Sequence, residues 1–86
     1  MPDVQKLINL DPLGNLRLEQ QRYEEAEAAL EQAVELSREL NGRDAPRTGR
    51  LVKRLAQAVR GDGREAEAVK LDAEAERILS TEDGSS

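Results

Sequence analysis

The sequence predicts an all-α chain built of stacked helical hairpins, and three observations carry that prediction. Small and aliphatic residues recur at steps of three and four along most of the chain, the spacing that lines one face of a helix. Strand formers are scarce: Tyr23 is the only aromatic residue among 86, whereas 36% of residues are charged and Leu, Ala and Val supply nearly all of the apolar content. The second half also repeats the first. Leu13 aligns with Leu55, Arg22 with Arg64, Ala26 with Ala68, Ala33 with Ala75 and Leu36 with Ile78, always at one offset (64 − 22 = 42). Such a period marks helical units that each leave an apolar face for a neighbour to cover.

At the amino-terminal end, Asp11-Pro12 interrupts the apolar positions Leu7, Ile8, Leu10 and Leu13. With Asp11 as N-cap and Pro12 as first helical residue, the pattern predicts a short helix over 3–10 and a separate one over 12–20. A kinked continuous helix is the competing reading, because an interior proline removes a hydrogen bond and clashes one turn back. Residues 1–12 are therefore expected as a leading segment or short helix, ahead of two helix pairs spanning 13–79, about 12–41 and 46–79.

From Glu24 to Leu40, Ala26, Ala29, Leu30, Ala33, Leu36 and Leu40 share a face, while Glu24, Glu27, Glu31, Glu35 and Arg38 fill the opposite one. Asn41-Gly42 tolerates positive φ and predicts the stop, with Arg38 and Arg43 suited to the negative helix end. After the turn from Gly42 to Pro46, Leu51, Val52, Leu55, Ala58 and Val59 restore the spacing until Gly61-Asp62-Gly63 breaks it. From Arg64 onward Ala68, Leu71, Ala75, Ile78 and Leu79 trace one last face. Residues 80–86 have nothing to bury and are expected to be a disordered tail.

These residues resemble the tetratricopeptide repeat, in particular its long form found in kinesin light chain. Leu13-Gly14-Asn15 through Gln20-Gln21-Arg22-Tyr23-Glu24-Glu25-Ala26 is similar to the family's L-G-N...Q-G-R-Y-E-E-A core, and Gly42-Arg43-Asp44-Ala45-Pro46 resembles the G-P-D-H-P linker. Departures are Gln21 in place of a glycine, Glu65 in place of a tyrosine and Asp72 at an apolar position. Leu7-Ile8-Asn9-Leu10-Asp11-Pro12 is similar to the end of an ordinary repeat, which makes the first helix of repeat one short and the chain a cut from a longer array. The resemblance implies a right-handed α-solenoid fragment of two repeats whose first helices line a groove for a peptide or partner helix.

Carried over position by position, the groove residues are Asp11, Asn15 and Leu18 from the first repeat and Arg50, Lys53, Gln57 and Arg60 from the second. Asn15 stands where the family uses an asparagine to hold a peptide backbone, a task suited to an amide because it donates and accepts. Arg50 and Lys53 can pair with a carboxylate, so an acidic peptide is the favoured ligand. The competing reading is a tolerated asparagine and cations on a solvated face. Seven acids lie between Glu19 and Glu39, whereas Arg43, Arg47, Arg50, Lys53, Arg54, Arg60 and Arg64 cluster around the next helix. Attraction between adjacent helices is the plain explanation, worth ~0–1 kcal/mol for each exposed pair.

Composition bears on other functions. His and Cys are absent, which removes disulfides, thiolate metal sites and the usual nucleophile–base pairs, so an enzyme is not expected. Gly61-Asp62-Gly63 has neither the alternating oxygen ligands of a calcium loop nor the Lys-Ser or Lys-Thr of a phosphate cradle, and no cofactor is expected. A net charge of −5 and a single aromatic residue argue against nucleic acid and anionic membranes. No apolar run nears the ~20 residues of a membrane span; with no signal-peptide pattern, the reading is a soluble cytoplasmic protein. Two repeats leave open ends where about three are usual. Self-assembly is thus the alternative function, with Leu71, Ile78 and Leu79 of the last helix expected in a homodimer interface.

Overall fold

The computed structural model describes residues 4–83, with the side chains of 5–80. They form four helices: α1 (Val4–Glu19), α2 (Tyr23–Asn41), α3 (Pro46–Gly61) and α4 (Glu65–Asp83). No strand occurs among the described residues. The boundaries at the turn inside each pair repeat at one offset (61 − 19 and 65 − 23 both equal 42). The sequence period is thus a period of structure.

The amino-terminal expectation is corrected. Residues 4–19 form one helix with Pro12 inside it, so α1 is neither split nor short. Pro12 cannot donate to the carbonyl of Ile8, but both residues lie on the exposed side of α1, where water can take that carbonyl. Asp11 is mid-helix and not an N-cap. Its carboxylate crosses to α3, pairing with Arg54 and, at 3.5 Å, with Arg47. The carboxyl-terminal expectation shrinks as well, since α4 continues through Asp83; the rest of the expected tail, 84–86, lies outside the described residues.

The turns follow the sequence signals. Gly42 ends α2 at φ 107°, and its N–H donates to the carbonyls of Ser37 and Arg38 at 3.2 and 3.1 Å. Pro46 opens α3 at a position whose N–H would be unpaired in any case. A buried polar chain locks this corner: Thr48 Oγ1 donates to the Gly42 carbonyl at 2.8 Å, so Ser37 Oγ donates to Thr48 Oγ1 at 2.7 Å and in turn accepts from Asn41 at 3.1 Å. Both hydroxyls are fully buried, and both are satisfied, as burial requires.

α3 packs against both α2 and α4, whose backbones do not come close to each other. The core holds Leu7, Leu10, Leu30, Val34, Leu51, Val52, Leu55 and Val59, with alanines at 26, 29, 33, 58, 68 and 75 filling the closest crossings. Three glycines set how near the helices come; a Cβ on Gly61, at the end of α3, would overlap the Tyr23 ring of α2. A Cβ on Gly14 of α1 would stand 2.6 Å from Leu30 of α2, and one on Gly49 of α3 would stand 2.8 Å from Ile78 of α4; neither gap admits a methyl group. Ion pairs stitch the outside: Arg17 with Glu25 at 3.4 Å joins α1 to α2, and Arg38 with Glu74 at 3.2 Å joins α2 to α4.

Candidate peptide-binding face

α3 supplies most of the face. Arg50, Lys53, Gln57 and Arg60 follow one another at steps of three, four and three, which keeps them on one side of the helix, and all four are exposed. They are exposed because Leu51, Val52, Leu55, Ala58 and Val59 take the other side into the core. α1 contributes Asn15, half-buried, at the position equivalent to Gln57 (57 − 15 = 42). Among the described residues, neither amide is committed to another side chain. The two repeats therefore present one uncommitted amide each at the same point of the same helix.

The cations already have carboxylates nearby. Lys53 Nζ lies 3.6 Å from Glu76, and Arg60 holds Glu65 at 3.0 Å and Asp72 at 2.8 Å. Hydrogen bonds that Arg60 donates to Glu65, then to Asp72, raise its pKa above the ordinary value. These are solvent-facing pairs of small net worth, open to exchange with a carboxylate from outside. Leu18 belongs elsewhere: it is half-buried and packs against the core, supporting the face from beneath. Asp11 is likewise engaged with Arg47 and Arg54, so it clasps α1 to α3.

Charge segregation resolves differently from simple attraction of α3 to the acidic α2. Arg47 and Arg54 reach α1, whereas Lys53 and Arg60 reach α4 and its first turn. Within this basic cluster, the turn residue Arg64 takes an acid of α2, Glu27. No sequence signal could have assigned these partners, because each joins residues brought together by helix packing.

Sequence reasoning also missed a cavity of about 360 Å³ in the seam between α2 and α4. Val34, Val52, Leu55 and Leu71 form its floor, and Glu31 and Glu67 stand on its rim. Burial, then the neighbouring charge of Glu27, raises the Glu31 pKa. None of the peptide-face residues lines this cavity.

Among the described residues no group of three or more acidic, His or Cys side chains could hold a metal ion, and no helix is long and apolar enough to cross a membrane. What the geometry does define is a class: a two-hairpin helical repeat, with the first helix of each pair presenting equivalent polar positions. The tetratricopeptide repeat profile matches residues 7–81, and the chain belongs to that family. Neither curated proteins nor solved structures yield a match.

Proposed function

We propose that the chain is a non-catalytic scaffold that holds a short peptide or helix of a partner protein along the exposed sides of α1 and α3. The family mediates contacts between proteins. The finer reading rests on one observation, the repeat-equivalent pair of uncommitted amides, Asn15 and Gln57. Amides spaced this way can donate to and accept from the backbone of an extended segment whatever its side chains. Arg50, Lys53 and Arg60 add positive charge beside them, which favours a segment carrying carboxylates. With Leu18 supporting α1 from the core side, the face has a fixed backbone under it.

The test is titration of a fluorescent acidic peptide bearing a free C-terminal carboxylate. Binding is expected to weaken by about 10-fold or more in the Asn15→Ala, Lys53→Ala double variant, since both groups lose their charge-assisted or paired contacts. The circular dichroism melt reports whether that variant remains folded. Equal affinity in a folded variant rejects the face; tight binding of a basic peptide with no response to acidic ones rejects the ligand class.

A further inference from the structure

We infer that the outer side of α1 is where two copies of this chain meet, α1 against α1 about a two-fold axis. Ile8, Leu13 and Leu16 are 50%, 38% and 46% exposed there, with exposed Pro12 between them and exposed Gln5, Asn9 and Gln20 beside them. Ile8, Pro12 and Leu16 follow at steps of four and make a stripe along the helix. Among the described residues, Glu19 is the charge within this stripe, and Lys6 stands at its edge, seven residues before Leu13. α2 by contrast exposes Glu24, Glu25, Glu31, Glu35 and Glu39.

The internal repeat shows what this side is built to do. Moved by the repeat offset, Asn9, Leu13 and Leu16 become Leu51, Leu55 and Ala58, which are 1%, 8% and 0% exposed. Each first helix has its own second helix, so the difference in burial comes from the other neighbour, the first hairpin. The positions left open on α1 are those that α3 uses to receive a hairpin.

The occupant follows from what changes between the two sides. α3 flanks its apolar positions with Arg47, Arg50 and Arg54, and two of these take Asp11. The equivalents on α1 are Gln5, Ile8 and Pro12, all uncharged. A preceding hairpin of the same kind, acidic and carrying such a clasp, finds no cation at these three positions. The far end of a second copy fits no better. Val34 of α2, buried in the joint with α3, has Glu76 as its equivalent on α4, and Leu30 has Asp72, so head-to-tail stacking sets carboxylates on an apolar stripe.

Another α1 is the matching surface. An antiparallel pair centred on Pro12 places Ile8 of one copy over Leu16 of the other, each four residues from the centre, and sets Glu19 opposite neutral Gln5. A two-fold contact of this kind closes on itself, and on a chain of net charge −5 it uses the side with the least like-charge repulsion. Of the residues expected in an α4 interface, Ile78 is fully buried in its own hairpin, and Leu71 and Leu79 are half-buried.

Native cysteines are absent, so single-cysteine variants of the full chain test the geometry directly. Pro12→Cys is expected to form a disulfide-linked dimer under mild oxidation at least about 10-fold faster than Ala73→Cys on the outer side of α4, because only the former sits on the axis at bonding distance from its copy. A mixture of the two is expected to give the Pro12→Cys homodimer. Sedimentation velocity is expected to show a weak, micromolar-range dimer, lost in Leu16→Glu with helicity unchanged. Preferential cross-linking of Pro12→Cys to Ala73→Cys overturns the proposal in favour of head-to-tail stacking. A monomer at every concentration up to about 1 mM overturns it outright.

Discussion

In the first hairpin, Gly14 of α1 leaves room for Leu30 of α2; in the second, Gly49 of α3 leaves room for Ile78 of α4. Those places are not equivalent. Gly14 corresponds to Ala56, seven residues (56 − 49 = 7), or about two helical turns, beyond Gly49. Leu30 corresponds to the half-buried Asp72, and Ile78 to the half-buried Leu36. The hairpins thus share the position of their inner turn while placing the large-into-small contact at different heights. What repetition preserves is the shape of the unit. The point at which its helices lock is free to move, because one close approach suffices to fix a pair.

The largest expected effect breaks this comparison at the lock of the second hairpin. Ile78→Ala removes a fully buried side chain opposite Gly49, and urea denaturation is expected to show a loss of about 2–5 kcal/mol. The equivalent change in the first hairpin, Leu36→Ala, is expected to cost no more than about half of that, since Leu36 is already partly in water. Equal losses would mean that the two hairpins lock at the same height after all.

Next comes the corner that joins the hairpins. Ser37→Ala leaves Thr48 its bond to the Gly42 carbonyl but removes the donor to Thr48 and the acceptor for Asn41, so thermal unfolding should reveal about 1–2 kcal/mol of destabilisation. The two intra-hairpin turns give a smaller effect of opposite sign. Gln21 adopts a left-handed φ of 60°, while its equivalent Gly63 has φ 90°. Gln21→Gly is expected to stabilise by about 0.5–1 kcal/mol, the left-handed penalty less the entropy of a more flexible unfolded chain. A drop in melting temperature would show that Gln21 makes a contact worth more than its strain.

The smallest effect is at the seam. Burial and the charge of Glu27 raise the Glu31 pKa, so the folded state holds the proton more tightly than the unfolded one. The sign follows by linkage: stability from this group is full below the unfolded pKa and lost as pH rises through the folded value. Glu31→Gln is therefore expected to raise the melting temperature slightly at neutral pH and to have no effect in acid. A gain that persists below the ordinary glutamate range points to packing in place of charge.

The sequence by itself determined the number of hairpins, the interior helix ends and the repeat distance, because Asn41-Gly42, Pro46 and Gly61-Asp62-Gly63 act through local backbone preference and the alanine spacing acts through helical period. The resemblance to the family picked out Arg50, Lys53, Gln57 and Arg60, and their spacing keeps them on one side of a single helix. Asp11-Pro12 misled, since a local cap signal gave way to a continuous helix whose proline faces water and whose aspartate finds two arginines 36 and 43 residues away (47 − 11 and 54 − 11). Only the tertiary structure decided the partners of the cations, the burial of Ile78 and the exposure of Ile8, Leu13 and Leu16. Those depend on which helix lies against which, and the distances involved span the chain.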